Sequence, residues 1–150
     1  MKIKIFFQDQ ADFMDILLIG DEQAEMVQRY LNQGPLFALF DEQRLLGVAL
    51  AVPQSEKTLE LKNIAIVPAK QHQGFGRQLM QAVENYAKNQ GYQTLTLGTG
   101  ESPLTLPFYQ KLGYQYSHRI KNFFKQNYDH PIIEGGHELK DMIYLSKTLH

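Results

Sequence analysis

Gln71, Gln73, Gly74, Phe75, Gly76 and Arg77 have the types and spacing to hold a doubly charged anion. Upstream lies Leu59-Glu60-Leu61-Lys62-Asn63-Ile64-Ala65-Ile66-Val67-Pro68, an apolar segment closed by proline. Downstream, Phe75, Leu79, Ala82, Val83, Tyr86 and Ala87 recur at helical spacing as far as Gly91, which predicts a helix led by glycines. Glycine at 74 and 76 lets the backbone come close to a ligand. The first amides of a helix have no partner and sit at the positive end of its dipole, so such a helix start binds anions. Each charge-assisted hydrogen bond contributes about 1.5–3 kcal/mol, so roughly three or four amides with Arg77 suffice for a pyrophosphate without a metal. No Gly-x-x-x-x-Gly-Lys-Ser/Thr loop occurs, and the Rossmann pattern fails at Leu79, where a third small residue belongs. Alone, Gly-x-Gly describes a tight turn into a helix equally well.

A second group stands further along, at Phe108-Tyr109-Gln110-Lys111-Leu112-Gly113-Tyr114. Gln-x-x-Gly-x-Gly after an apolar strand, then a helix, a short strand and Phe-Tyr-x-Lys-x-Gly-Tyr, resembles the GNAT superfamily of N-acyltransferases. The likeness is strongest over residues 57–116 and fits the order of elements along the whole chain. It implies acetyl-CoA as cosubstrate and transfer of its acetyl group, by direct attack, to a primary amine of a small molecule or peptide. It further implies that Gln71 to Arg77 bind the pyrophosphate, that Ile66 and Val67 bond the pantetheine arm through their backbones, and that Tyr109 lies beside the sulfur. A thiolate leaving group has a conjugate acid of pKa about 8.5 if it behaves like cysteine. A phenol of pKa about 10 stays protonated at neutral pH and can donate as charge grows on sulfur. The plainer reading of Tyr109 is an aromatic packed on the sheet, and Phe108 is taken as the core residue. Ser102 stands where many members carry an asparagine that bonds the pantetheine; as a shorter side chain it reads first as a helix cap. Gly98-Thr99-Gly100 either lets the pantetheine pass close by or forms a plain turn.

An acceptor amine of pKa near 10.4 is neutral about once in 2,500 molecules at pH 7, so its proton must be removed or redirected. Many members carry a glutamate on the strand before the Gly-rich turn, and the matching position here is Lys62, which cannot serve. Glu60, on the same face by alternation, is the candidate base, directly or through a water. Its competing reading is a solvated edge carboxylate, and ordered waters alone can also relay a proton. His72, His118, His130, His137 and His150 have no ligand spacing, so no metal is expected. The stretch from Asn122 to Asp141 exceeds the usual 4–6 residues of a connection. Phe123, Phe124 and Tyr128 give it apolar surface, while Asp129 and Glu134 can receive a cationic group. It is read as a cover over the acceptor pocket, against a packed excursion or a dimer contact.

These side chains need a scaffold. Residues 2–7 alternate as a strand, and 9–19 and 21–33 read as helices divided at Gly20. Strands follow at 36–40, 45–52 and 59–67, then the glycine-led helix, a strand at 94–97, a helix opened by Ser102-Pro103, and strands at 114–120 and 142–148. This order suits one α/β domain, residues 1–150, with a mixed central sheet flanked by helices on both faces. In the GNAT-like acyl-CoA N-acyltransferase fold two parallel central strands splay to admit the cofactor, here 59–67 and 94–98. The apolar fraction of 43% is that of an ordinary folded protein, and a net charge of -1 argues against a nucleic-acid partner. The absence of cysteine removes disulfides and a covalent acyl-cysteine route. With no secretory pattern at the start and no apolar run able to span a bilayer, a cytoplasmic protein without a membrane partner is expected. A homodimer stays open. So do a non-catalytic CoA-binding sensor and a transferase using succinyl-CoA or a longer acyl group.

Overall fold

Apolar runs through residues 36–66 fold into three successive antiparallel strands that anchor everything else. In the computed structural model, which describes residues 1–150, the strands are β1 (Lys2–Phe6), β2 (Leu36–Asp41), β3 (Arg44–Pro53), β4 (Thr58–Ile66), β5 (Thr94–Gly100), β6 (Gln115–Ile120), β7 (Ile133–Glu134), β8 (His137–Glu138) and β9 (Met142–Thr148). Seven form one mixed sheet in the order β1-β2-β3-β4-β5-β9-β6, while β7 and β8 make a separate small hairpin. Only β4 and β5 are parallel neighbours. Along β2, Phe37 and Leu39 join one core, and Leu36 and Ala38 join the other. A strand buried on both faces reads as a continuous apolar run for this reason.

On one face α3 (Phe75–Asn89) presses Leu79, Met80, Val83 and Ala87 against Leu59, Leu61, Leu95 and Leu97. On the other, α1 (Met14–Gly20) and α2 (Ala24–Gln28) bring Ile16, Leu17 and Val27 onto Val48 and Leu50. The expected helix over 21–33 stops at Gln28. The buried Gln10 side chain donates to Phe6 O (2.8 Å) and Gly34 O (2.6 Å) and accepts from Asn32 N (2.7 Å), holding the rest as turns. No helix is long and apolar enough to cross a membrane.

Two further departures concern the site. β5 continues to Gly100 rather than ending at 97, because it pairs with β9 along its whole length. A Cβ on Gly98 would stand 2.8 Å from Met142 Sδ, and one on Gly100 2.5 Å from Leu139 Cδ1, so only glycine admits those neighbours. The short helix α4 (Leu106–Lys111) begins beyond Ser102, with Thr105 at its N-cap. Ser102 instead holds the preceding turn, its Oγ accepting Leu104 N–H at 3.1 Å.

The feature that makes the site is where pairing ends. β4 pairs with β5 from Thr58↔Thr94 to Leu61↔Leu97 and no further, although both strands run on. The register of β3 against β4 shifts from Ala51↔Leu61 to Leu50↔Asn63, leaving Lys62 unpaired as a bulge. A bulge bends its strand and strengthens the local twist. The two strands therefore part as the splay expectation required.

Below the gap the core carries a buried ionic cluster. Glu84 of α3 accepts the Tyr114 hydroxyl (2.8 Å) and faces Lys147 Nζ of β9 (3.0 Å). Removing the carboxylate strands a buried hydroxyl and a half-shielded ammonium. Glu84→Ala is expected to lower the unfolding free energy by about 2–3 kcal/mol in urea titration, below the full cost of a buried pair because Lys147 keeps some solvent.

Candidate active site

The gap between β4 and β5 opens into a cavity of about 610 Å³. At one end stands the head of α3. Gly74 is its N-cap with φ 88°, a left-handed conformation that glycine adopts freely, and no side chain caps the helix. The first helical N–H to find a partner is that of Gln78, bonded to Gly74 O (3.2 Å), so Phe75, Gly76 and Arg77 present unpaired amides. These three residues, Gly74, Gln71 and His72 all line the cavity. Gln71 Nε2 donates to Ile66 O (3.0 Å) and fixes the turn. Gln73, expected at the cofactor, turns its side chain to Ala69 O (3.4 Å) and does not line the cavity. A Cβ on Gly76 would meet the Phe108 ring at 3.4 Å, an ordinary contact distance, so α4 lies close against the head of α3.

Along the wall, the two backbones expected to bond the pantetheine differ. The Val67 N–H donates to Leu46 O (2.9 Å) and its carbonyl accepts Lys70 N–H (2.9 Å), so Val67 is committed to β3 and to the turn. Successive amides of a strand point in opposite directions. With Val67 N–H directed at β3, Ile66 N–H faces the gap, as does that of Ile64. Val67 is therefore withdrawn from that role.

Tyr109 lines the cavity from α4, only 7% exposed, with its ring edge-on to Phe108 (5.1 Å) and Tyr114 (6.1 Å). Phe108, read from the sequence as the core residue, lines the cavity too, and Tyr109 is the one that belongs to the main core. Burial, and secondarily the charge of Glu134, push the Tyr109 hydroxyl well above the ordinary phenol range. It stays protonated at every working pH.

Glu60 does not reach the cavity. It is 6% exposed on a central strand, opposite Thr96 in the part of β4 that remains paired with β5, so it is no solvated edge carboxylate either. Its Oε2 meets Lys62 Nζ at 2.8 Å, and its Oε1 accepts from Gln54 Nε2. The sheet separates one step past Glu60, and Lys62 rather than Glu60 borders the cavity. Glu60 is consequently withdrawn as a base that meets the amine. Ser102 is fully buried and outside the lining, so a bond to a cofactor arm is withdrawn as well.

The far end of the cavity is made by the long excursion between β6 and β9. It contains α5 (Phe123–Asn127) and the β7–β8 hairpin, and it carries its own small core of Phe124, Ile132 and Leu139. Phe124, Tyr128, Ile132, Glu134 and Leu139 face the cavity. Asp129 does not: its side chain is 81% exposed and paired with His130, which removes it from the acceptor pocket. Two carboxylates that sequence reasoning passed over, Asp21 and Glu22, face the cavity from the turn between α1 and α2. The signal was there, an acidic pair at the Gly20 break between two sheet-facing helices, but only the fold turns that break toward Glu134.

The excursion is strapped to that turn. Tyr128 and Tyr30 donate to the two oxygens of Asp21 (2.6 and 3.2 Å), and Tyr30 in turn accepts from Asn63 of β4 (2.9 Å). Asp129 N–H donates to Gln23 Oε1 (3.3 Å), Arg29 to Asn127 (3.2 Å), and His130 Nε2 lies 3.5 Å from Glu22. Hydrogen bonding to Asp129, with Glu22 adding to it, holds the His130 pKa above its ordinary value. A histidine raised on folding contributes stability below its unfolded pKa and loses it as pH rises through the folded one. Amide exchange over residues 128–138, corrected for intrinsic rates, should therefore be faster at pH 8 than at pH 6. His130→Ala should abolish that difference.

The sequence profile of the Acetyltransferase (GNAT) family matches residues 6–114. The chain is 32% identical over 146 residues to the uncharacterized N-acetyltransferase YvbK of Bacillus subtilis, covering 97% of this chain and 94% of that one. Among solved structures, it superimposes with a TM-score of 0.93 on a GNAT family acetyltransferase from Elizabethkingia anophelis with acetyl-CoA bound, at 38% identity over 99% and 97% of the two chains. A Bacillus subtilis acetyltransferase in complex with CoA gives a TM-score of 0.91 at 31% identity, over 99% of each chain.

Proposed function

Because the chain belongs to the GNAT acetyltransferase family and is an acyltransferase with acetyl-CoA as cosubstrate, we propose that it acetylates a primary amine of a cationic small molecule or peptide by direct attack. The observation that carries this reading is the continuity of the cavity. It runs from unpaired amides at the head of α3, past the Tyr109 hydroxyl, to the carboxylates Asp21, Glu22 and Glu134. The residues fit the cosubstrate: N–H donors and Arg77 suit a diphosphate, and the gap-facing amides of β4 suit a chain with its own amide groups. The thioester supplies an activated acyl carbon and a leaving thiolate.

The amides of Phe75, Gly76 and Arg77 hold the anionic end without reorganisation, and Ile66 aligns the arm. The acidic end attracts an ammonium and holds it near the acyl carbon, which converts a bimolecular encounter into an oriented one. Tyr109 donates its hydroxyl proton toward the sulfur as the C–S bond breaks. Phe108, Phe124, Ile132 and Leu139 exclude water, so the acyl group goes to the amine rather than to hydrolysis.

Calorimetry with acetyl-CoA, paired with thiol release against a panel of primary amines and a neutral alcohol, tests the assignment. Uptake of acetyl-CoA and thiol release with amines alone is the expected pattern. Tight uptake with no release from any amine would identify a CoA sensor instead, and no uptake would remove both.

A further inference from the structure

We propose that Glu134, on the β7–β8 hairpin, is the general base that takes the proton from the acceptor ammonium. This rests on the amine-transfer reading and adds to it the group that β4 fails to supply. In that strand the candidate carboxylate is closed off by Lys62 and Gln54, and the residue that does face the cavity is a lysine. Glu134 is a half-buried carboxylate in the same cavity as Tyr109, and its charge bears on the Tyr109 hydroxyl. Beside it the buried Ser102, whose hydroxyl accepts the Leu104 N–H, favours the ionised form of the carboxyl.

The electrostatics suit the role. Burial raises the Glu134 carboxyl above the ordinary carboxylate range, Ser102 opposes this, and Glu22 adds to it. The titratable groups that share its cavity are Asp21 and Glu22 of the α1–α2 turn, Lys62 of β4, Lys70, His72 and Arg77 beside the head of α3, and Tyr109 and Tyr128, with His137 opposite across the hairpin. A carboxylate held above its ordinary range is the stronger base.

The protons balance. Glu134 takes one proton from the ammonium and passes it to solvent. The freed lone pair forms the C–N bond and the C–S bond breaks, its electron pair leaving on sulfur. Sulfur receives a proton from Tyr109, which regains one from the acylated nitrogen. The products are the amide, free CoA and one proton.

The test is Glu134→Gln, assayed by thiol release with cadaverine and an alanyl dipeptide amide between pH 6 and 10. Expected are a fall of about 10²-fold in kcat/KM at pH 7, loss of the acid limb, and recovery as pH approaches that of the free amine. Acetyl-CoA affinity by calorimetry should stay within about twofold, which reports an intact fold. Ser102→Ala should move the acid limb of the otherwise active enzyme to higher pH, because Ser102 favours the ionised form. A Glu134→Gln protein that keeps its acid limb, or whose loss lies wholly in the amine KM, overturns the assignment while leaving amine transfer intact. A parent enzyme silent with every amine takes down the transfer reading and this one together.

Discussion

Tyr109→Phe is expected to lower kcat for amine acetylation by about 10²-fold or more, with acetyl-CoA affinity and stability almost unchanged. The hydroxyl makes no hydrogen bond with the protein, and the ring's burial is preserved in phenylalanine. What is lost is the only phenol on the cavity wall held there from α4. Without a donor the sulfur departs as a bare thiolate into a poorly solvated site. Burial and Glu134 keep this hydroxyl protonated, so the parent enzyme should show no falling limb from Tyr109 up to about pH 10. Stopped-flow thiol release across pH, with denaturant melts of both proteins, checks every part. Equal kcat for the two proteins would assign the residue to packing alone.

A second large effect is expected at the head of α3. Gly74→Val places a branched side chain at φ 88°, where an L residue is strained by roughly 1–2 kcal/mol. No atom crowds a Cβ at that position, so the cost is conformational, and the chain relieves it by turning the first-turn amides away. Losing one or two charge-assisted bonds at about 1.5–3 kcal/mol each weakens acetyl-CoA binding by roughly 10- to 10⁴-fold. Isothermal titration measures it, and Gly74→Val should leave the melting profile of the remaining sheet close to that of the parent. Unaltered affinity would mean that other groups carry the anion.

The elements were legible because their signals are local. Apolar runs fixed β2 to β4, and two glycines with Arg77 marked the start of α3. Tyr109, singled out by its motif, lines the cavity. The remainder depended on long-range placement. Glu60 failed as a base because nothing local tells where β4 and β5 separate, and the bulge at Lys62 decides that. Val67 failed because its amide is claimed by Leu46, a strand away. Asp21 and Glu22 went unnoticed because an acidic turn after a short helix is ordinary until folding aims it at a cavity. Within the excursion, Asp129 and Glu134 looked alike as acidic residues, and only the β7–β8 hairpin sends one inward and the other to solvent.

A strand whose hydrogen-bonding flank is left half unladdered has a thermodynamic consequence. The amides of Ile64 and Ile66 would gain rungs if an extended, amide-bearing ligand lay alongside, and uptake would then complete the sheet as well as load it. Such coupling ties cohesion to ligand supply: at one hundred times its dissociation constant, a ligand specific for the folded state adds about 2.7 kcal/mol. Starved of thioester, the same chain would be the softer one, and its abundance would follow the metabolic supply of the donor.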